Sequence, residues 1–221
     1  SHCDALILDL RHNHGGEVET LQLYISYFVK DGPKLYDSFF YRPTGETQQL
    51  WTLPYVPGRL LAKVPIYTLT SRMTASGGEA FAYILQGMKR AKVIGEVTAG
   101  AGHTQDMEIL QEHFQVEYPS GRSISPFTGT DWEGVGVQPD VRVQAVDAMK
   151  TAHRMALEEL LASCKDDRTR RELEWDSEIA RATYEPAQVE EKVLAGYAGQ
   201  YGDRCFSLVD GCLGYTRQNS I

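Results

Sequence analysis

The sequence has no long hydrophobic run, no cluster of basic residues and few cysteines. A helix that spans a bilayer needs about 20 consecutive apolar residues, so no membrane span is expected in this segment. The net charge is −8, and the Lys and Arg residues are scattered along the chain. This distribution disfavours a partner that presents a phosphate backbone, and no nucleic-acid partner is expected.

The cysteines are too widely spaced for a disulfide framework or a cysteine metal motif. They are Cys3, Cys164, Cys205 and Cys212. A hairpin turn at Asp210-Gly211 would place Val209 opposite Cys212. The same register leaves Cys205 opposite Thr216, so both cysteines of this hairpin are predicted to be free thiols.

Two histidines in "RHNHGG", His12 and His14, form an H-x-H pair. A structural zinc site needs four ligands at characteristic spacings, and no third ligand lies at such a spacing here. The histidines are therefore predicted to be turn or surface residues. No metal and no cofactor are expected.

Three apolar segments have the composition of buried strands, and a glycine-containing turn follows each of them. They are "ALILDL" (5–10), "KVPIYTLT" (63–70) and "AKVIGE" (91–96). Helical spacing of apolar residues follows the first two turns, over 18–28 and 81–88. The repeat of strand, turn and helix predicts an α/β fold with its special loops at the carboxyl ends of the strands.

The remaining elements are predicted from the positions of proline and glycine and from the spacing of apolar residues. Proline and glycine bound an exposed hairpin or excursion from Lys34 to about Leu53, and a β-like segment covers 114–124. A short strand in "GVGVQPDVRV" precedes a long amphipathic helix. The predicted apolar side of that helix consists of Val146, Met149, His153, Ala156, Leu157, Leu160 and Leu161.

Composition divides the chain into three parts. Residues 1–164 are predicted to form the core domain, 165–183 a charged and solvated helical linker, and 184–221 a small β-rich appendage. The sequence starts at Ser1 without a methionine, and a buried-strand pattern begins at Ala5. We therefore expect a longer polypeptide in which part of the core, and any signal peptide, precedes this segment.

Ser76 in "MTASGG" lies where a predicted strand turns into a helix. Such a turn can lift Oγ clear of the sheet, and the helix amino terminus favours the negative charge that develops there. Gly77 would let a substrate approach and would leave its N–H free for an oxyanion. The alternative is a plain N-cap serine followed by packing glycines.

The glycines Gly15 and Gly16 in "RHNHGG" follow the first strand, so they are expected at the same edge of the sheet as Ser76. Consecutive glycines can present backbone N–H groups to an anion. A simple tight turn is the equally good alternative.

Four motifs occur together in one order: "ALILDLRHNHGG", "LTSRMTASGGEAFAYILQ", "AKVIGEVTAGAG" and "GVGVQPDV". In this order they resemble the tail-specific, or C-terminal processing, serine peptidases over about residues 4–145. The resemblance implies that Ser76 is the nucleophile and that the N–H groups of Gly77 and Gly16 form the oxyanion hole, with Gly15 as the second candidate. It also implies a layered ββα superhelix like the crotonase and Clp protease cores.

One position departs from the Ser/Lys members of that family. They carry a lysine base in a Gly-Lys-Gly loop, and Ala101 stands at the matching position within "GAG". The sequence is therefore similar to the lysine-free branch, which includes the tricorn core protease and interphotoreceptor retinoid-binding protein modules. In that branch a histidine upstream of the core is the base and a late glutamate helps to orient the site. Glu133 is at the matching position here, where a solvated loop carboxylate is the alternative, and His103 is the candidate base inside the chain.

The resemblance implies a serine peptidase that acts on a peptide or protein. The alternative is a non-catalytic module that binds an apolar ligand such as a retinoid or lipid, because one fold can carry either function. The resemblance further implies a bacterial periplasmic or otherwise extracytoplasmic setting. Self-association stays open.

Overall fold

The computed structural model of the protein describes residues 3–217. The chain forms two compact units, Ser1–Ser177 and Glu178–Ile221. The first strands and helices are β1 (Leu6–Asp9), α1 (Val18–Tyr27), β2 (Leu35–Tyr41), β3 (Glu46–Trp51), β4 (Ile66–Thr70), α2 (Gly77–Gly87), β5 (Lys92–Gly95), β6 (His103–Leu110) and β7 (Phe114–Ser123). They are followed by β8 (Val141–Arg142), α3 (Ala145–Ser163), α4 (Asp167–Tyr184), α5 (Glu191–Ala195), β9 (Gly199–Tyr201), β10 (Arg204–Val209) and β11 (Cys212–Arg217).

A parallel sheet with the strand order β1-β4-β5-β8 forms the centre of the first unit. Its strands are covered on both faces, as their unbroken apolar sequences predict. On β5, Val93 packs in the cluster that contains α1 and α2, and the next residue, Ile94, packs in the cluster that contains α3. Burial of each such side chain contributes about 1.5–3 kcal/mol.

The long helix α3 is present, and its buried side agrees in part with the predicted one, since Ala156 and Leu157 are buried as expected. Val146 is 78% exposed, whereas Ala148, Ala152 and Ala156 are buried against the sheet cluster. Alanines four residues apart lie on one side of a helix and let it approach the strands closely. The prediction omitted Ala148 and Ala152, two small side chains that contact the sheet cluster.

A second sheet of the first unit is antiparallel, with the order β3-β2-β7-β6. The predicted hairpin of β2 and β3 is present, but Tyr36 and Asp37 of β2 are buried rather than exposed. Tyr36 packs in the cluster that contains α1 and α2, and β2 also pairs with β7. The segment 114–124 is a strand as predicted, and its partner β6 was not predicted from the sequence. No helix within residues 3–217 is long and apolar enough to cross a bilayer.

The second unit contains a three-stranded sheet in the order β11-β10-β9. Val209 pairs with Cys212 and Cys205 pairs with Thr216, so the predicted hairpin register is confirmed. Asp210 and Gly211 both have positive φ, at 51° and 74°, as a two-residue hairpin turn of this kind requires. Both cysteines are free thiols.

Candidate active site

Three turns meet at the carboxyl edge of the parallel sheet. The "RHNHGG" turn follows β1, the "SRMTASGG" turn follows β4, and the "EVTAGAG" turn follows β5. Because β4 pairs with both β1 and β5, its turn lies between the other two. The sheet topology therefore places Ser76 at the centre of the edge where α/β folds hold their ligands.

Side-chain and backbone hydrogen bonds fasten the first two turns together. Thr74 Oγ1 donates to Leu10 O at 2.8 Å, and the Ala75 N–H donates to Asn13 O at 3.0 Å. Ser71 Oγ donates to Arg11 O. These contacts fix the backbone that precedes Ser76. The sequence analysis did not identify them, because each one joins residues about 60 positions apart.

Ser76 has an unusual backbone conformation, with φ 50° and ψ −122°. An ordinary N-cap serine has extended backbone angles, so Ser76 is not a plain helix cap. A non-glycine residue with this geometry stores strain, and such strain is concentrated at functional sites. The residue is exposed at the start of α2, as in the sharp strand-to-helix turns that present a nucleophile.

The glycine pair of the first turn lies directly against Ser76. A Cβ atom on Gly15 would lie 2.8 Å from Ser76 Cβ and 3.0 Å from its Oγ, and Gly15 has a φ of 118°. Glycine is therefore required at this position. A Cβ atom on Gly77 would lie 3.0 Å from Gly16 N, whereas one on Gly16 would meet nothing within 4 Å.

The N–H groups of Gly16 and Gly77 lie at this contact, since a Cβ atom on Gly15 would lie 3.1 Å from Gly77 N. Among residues 3–217, neither N–H donates to a protein acceptor. The Gly77 N–H is at the first turn of α2, where helix N–H groups lack an intrahelical partner. The two groups can therefore bind an anionic oxygen that develops beside Ser76.

Glu79 is a buried carboxylate that the sequence analysis missed. Its side chain is 0% exposed. Oε2 accepts hydrogen bonds from the N–H groups of Ser76 at 2.9 Å and Ala101 at 2.8 Å. Oε1 accepts from the Gly100 N–H at 2.7 Å and from Thr98 Oγ1. One carboxylate thus fixes the position of the Ser76 turn relative to the loop after β5.

A local signal for Glu79 is present in the sequence. The pattern Ser-x-x-Glu, from Ser76 to Glu79, is that of a capping box, in which the glutamate accepts from the N-cap N–H. The bonds from Gly100 and Ala101 have no such local signal, because they depend on the pairing of β4 with β5.

The loop after β5 places Ala101 beside the Ser76 turn, since both residues donate to the same oxygen of Glu79. A methyl group accepts no proton, so Ala101 cannot serve as a base. Glu133 Oε2 accepts from the N–H groups of Gly102 at 2.6 Å and His103 at 2.9 Å. Glu133 therefore braces the outer part of this loop.

His103 points its imidazole at another carboxylate. Its Nε2 atom lies 3.4 Å from Asp131 Oδ2, and it forms no hydrogen bond with Ser76. The structure thus brings Gly15, Gly16, Ser76 and Gly77 together. Glu133, from the segment between β7 and β8, contacts the backbone of His103 at the end of the adjoining loop. Asp131, the partner of His103, was not predicted from the sequence.

The two histidines of the first turn, His12 and His14, are exposed. Within the part of the chain that the structure describes, no three His, Cys, Asp or Glu side chains are grouped so that they could hold a metal ion.

Comparison with known proteins identifies the family of this chain. The family model described as peptidase family S41 matches residues 1–143. The chain belongs to peptidase family S41. The resemblance to tail-specific and C-terminal processing peptidases is therefore confirmed.

Among curated S41 relatives, the chain is 28% identical over 139 residues to the carboxy-terminal-processing protease of Bartonella bacilliformis. It is 30% identical over 139 residues to carboxyl-terminal-processing peptidase 2, chloroplastic, of Arabidopsis thaliana. Each alignment covers 62% of this chain, but only 30% of the first relative and 25% of the second. The chain thus spans less than a third of the length of these relatives.

Solved structures support the same fold. The photosystem II D1 C-terminal processing protease has a TM-score of 0.53 and 26% identity, over 64% of this chain and 35% of that one. A putative peptidase from Parabacteroides merdae has a TM-score of 0.62 and 20% identity, over 74% of this chain and 55% of that one. The second similarity concerns the fold alone. The predicted α/β class of the S41 core is confirmed.

Proposed function

We propose that this S41 chain carries the nucleophile and the oxyanion donors of a serine peptidase that acts on a peptide or protein. The observation that carries the proposal is the contact of the Gly15-Gly16 turn with Ser76. It places two N–H groups without protein acceptors beside an exposed hydroxyl on a strained turn. The names of the relatives, all of them processing proteases or peptidases, support the same reaction class.

In the proposed reaction Ser76 Oγ forms a bond to the carbonyl carbon of the scissile peptide while its proton passes to a base. The carbonyl electrons move to the oxygen, which the Gly16 and Gly77 N–H groups then hold. Collapse of this intermediate breaks the C–N bond, and the amine leaves with the proton. Water repeats the sequence on the acyl-enzyme. Each oxyanion donor of this kind typically contributes about 10²–10³ in kcat.

The proposed base is a histidine contributed by a part of the protein that precedes β1, as the lysine-free branch of the family implies. His103 is the second candidate, and its Asp131 partner resembles the orienting carboxylate of a catalytic histidine. The proposed role of Glu133 is to hold the loop that carries His103 by its two backbone bonds.

The test uses the complete protein that contains this chain, a fluorophosphonate probe and an unstructured peptide. We expect the probe to label Ser76, and Ser76→Ala to abolish labelling and turnover. A helix-start Ser→Ala change costs about 0.5–2 kcal/mol, so the variant should stay folded. Ser163→Ala, an exposed serine at the end of α3, is the matched control and should leave both signals unchanged.

The binding-module alternative predicts different results. The folded protein would show no labelling and no turnover, and it would bind a retinoid or fatty acid with an affinity that Ser76→Ala leaves intact. That combination would overturn the peptidase proposal. If the wild-type protein cleaves the peptide and His103→Ala does not, the base is instead assigned to His103.

A further inference from the structure

A cavity of about 400 Å³ opens beside the Gly16 and Gly77 donors, between β1, α1 and α2. Its volume falls in the range of pockets that enclose small ligands. The apolar side chains that line it are Leu8, Leu10, Leu21, Tyr24, Phe28 and Phe81. The four glycines of the two turns, at positions 15, 16, 77 and 78, line the same cavity, so it adjoins the proposed oxyanion site.

The aromatic side chains form the inner wall and the entrance of this cavity. Phe28 and Phe81 are buried, with ring centroids 6.2 Å apart. Tyr24 also lies 6.2 Å from Phe81, but it is 52% exposed. The cavity therefore runs from a half-open aromatic entrance to a buried aromatic wall.

Two carboxylates, Asp9 and Glu17, line the cavity, and no Lys, Arg or His side chain of residues 3–217 does so. Asp9 is paired with Arg11 at 2.7 Å, and this hydrogen-bonded pair holds the pKa of Asp9 below its usual value. Glu17 lies exposed just before α1. An acidic substrate side chain would have no positively charged partner in this cavity. An uncharged apolar side chain would displace water from the apolar walls, which is favourable.

We propose that this cavity receives a large apolar side chain, such as that of Leu or Phe, from the substrate residue on the acyl side of the scissile bond. The inference rests on the proposed function. A carbonyl oxygen held by the Gly16 and Gly77 N–H groups fixes its own residue next to the cavity, because the same glycines line both. That residue is called the acyl-side residue below.

The expected selectivity follows from the apolar wall. One methylene more or less in such a pocket changes kcat/KM by about 10–200-fold. Peptides that differ only in the acyl-side residue should thus be cleaved with kcat/KM at least about tenfold higher for Leu or Phe than for Ala. A Glu at this position should give the lowest value.

The experiment measures kcat/KM for acyl-side Leu, Phe, Ala, Lys and Glu with the complete protein and three variants. Leu21→Trp fills the cavity and should lower the Leu-to-Ala and Phe-to-Ala ratios at least about tenfold. Tyr24→Ala, at an exposed position, is the second variant and should lower the Phe-to-Ala ratio. Leu23→Ala, on the same helix but outside the cavity, is the matched control and should keep the wild-type ratios.

Each outcome decides between the two proposals. Labelling of Ser76 and turnover without any apolar preference, or with ratios that neither variant changes, overturns the cavity proposal alone. A preference for Lys that Glu17→Gln removes also overturns it, in favour of a basic specificity. Absence of both labelling and turnover in the wild-type protein overturns the proposed function, and the cavity proposal with it.

Discussion

Two glutamates brace the site at different depths. Glu79 is fully buried and accepts four hydrogen bonds from two turns, whereas Glu133 is exposed and accepts two from a single loop. The family resemblance drew attention to Glu133. The structure gives the larger number of contacts to Glu79, at the point where the Ser76 turn meets the loop after β5. The number of buried donors that a carboxylate satisfies therefore gives a better measure of its structural role than its motif does.

The largest effect is expected at the Gly15-Gly16 turn, which lies directly against Ser76. Gly15→Ala forces a Cβ atom to 3.0 Å from Ser76 Oγ at a backbone φ of 118°. Either Ser76 or the turn must move, and a displacement of about 1 Å at a catalytic group typically costs about 10² in rate. We expect kcat/KM to fall at least that far, with slower fluorophosphonate labelling.

Gly16→Ala is the matched control for that change, because its Cβ would meet nothing within 4 Å and the N–H donor is kept. It should retain probe labelling much better than Gly15→Ala. A Gly16→Ala protein that loses more labelling than Gly15→Ala would contradict the packing described for this turn.

The next largest effect concerns Glu79. Glu79→Gln replaces one acceptor oxygen by an NH₂ group, so two of the four donors lose their acceptor. Each buried donor left unpaired costs about 1–3 kcal/mol. Urea unfolding should therefore show a clear loss of stability, together with reduced Ser76 labelling in the protein that remains folded. Unchanged stability would disprove the bracing role.

The smallest effect is expected at Glu133. One oxygen, Oε2, accepts both of its backbone bonds, and the amide oxygen of Gln can replace it. Glu133 is exposed, so Glu133→Gln should change the free energy of unfolding by only about 0.5 kcal/mol. We expect a reduction of kcat/KM that is smaller than that for Glu79→Gln. The reverse order would show that Glu133 acts in the chemistry as well as on the loop.

Features that depend on short local patterns are predicted from the sequence, and features that depend on contacts across the sheet are not. The strand-turn-helix order and the Asp210-Gly211 hairpin follow from short patterns, and both are present. Glu79 was missed because two of its donors, Gly100 and Ala101, come close to it only when β4 pairs with β5. The prediction for α3 omitted Ala148 and Ala152 for a related reason, because the close packing of these alanines depends on the strands beneath the helix.

The roles of Ser76, Gly16, Gly77, Glu133 and His103 stay predictions. The backbone strain at Ser76 and its contact with Gly15 could not be predicted from local preferences, because they depend on how the turns after β1 and β4 meet. The predicted division at 164 and 183 is likewise untested, although a charged helix, α4, does cover most of that linker.

The shared acceptor on Glu79 has a consequence for inhibition. Because Oε2 binds the N–H groups of both Ser76 and Ala101, the surface around the hydroxyl is already ordered before any molecule arrives. An electrophilic compound that captures Ser76 need not immobilise these two loops, and so it avoids the conformational entropy that ordering them would cost. Small, rigid warheads should therefore retain a large fraction of their intrinsic affinity on this protein.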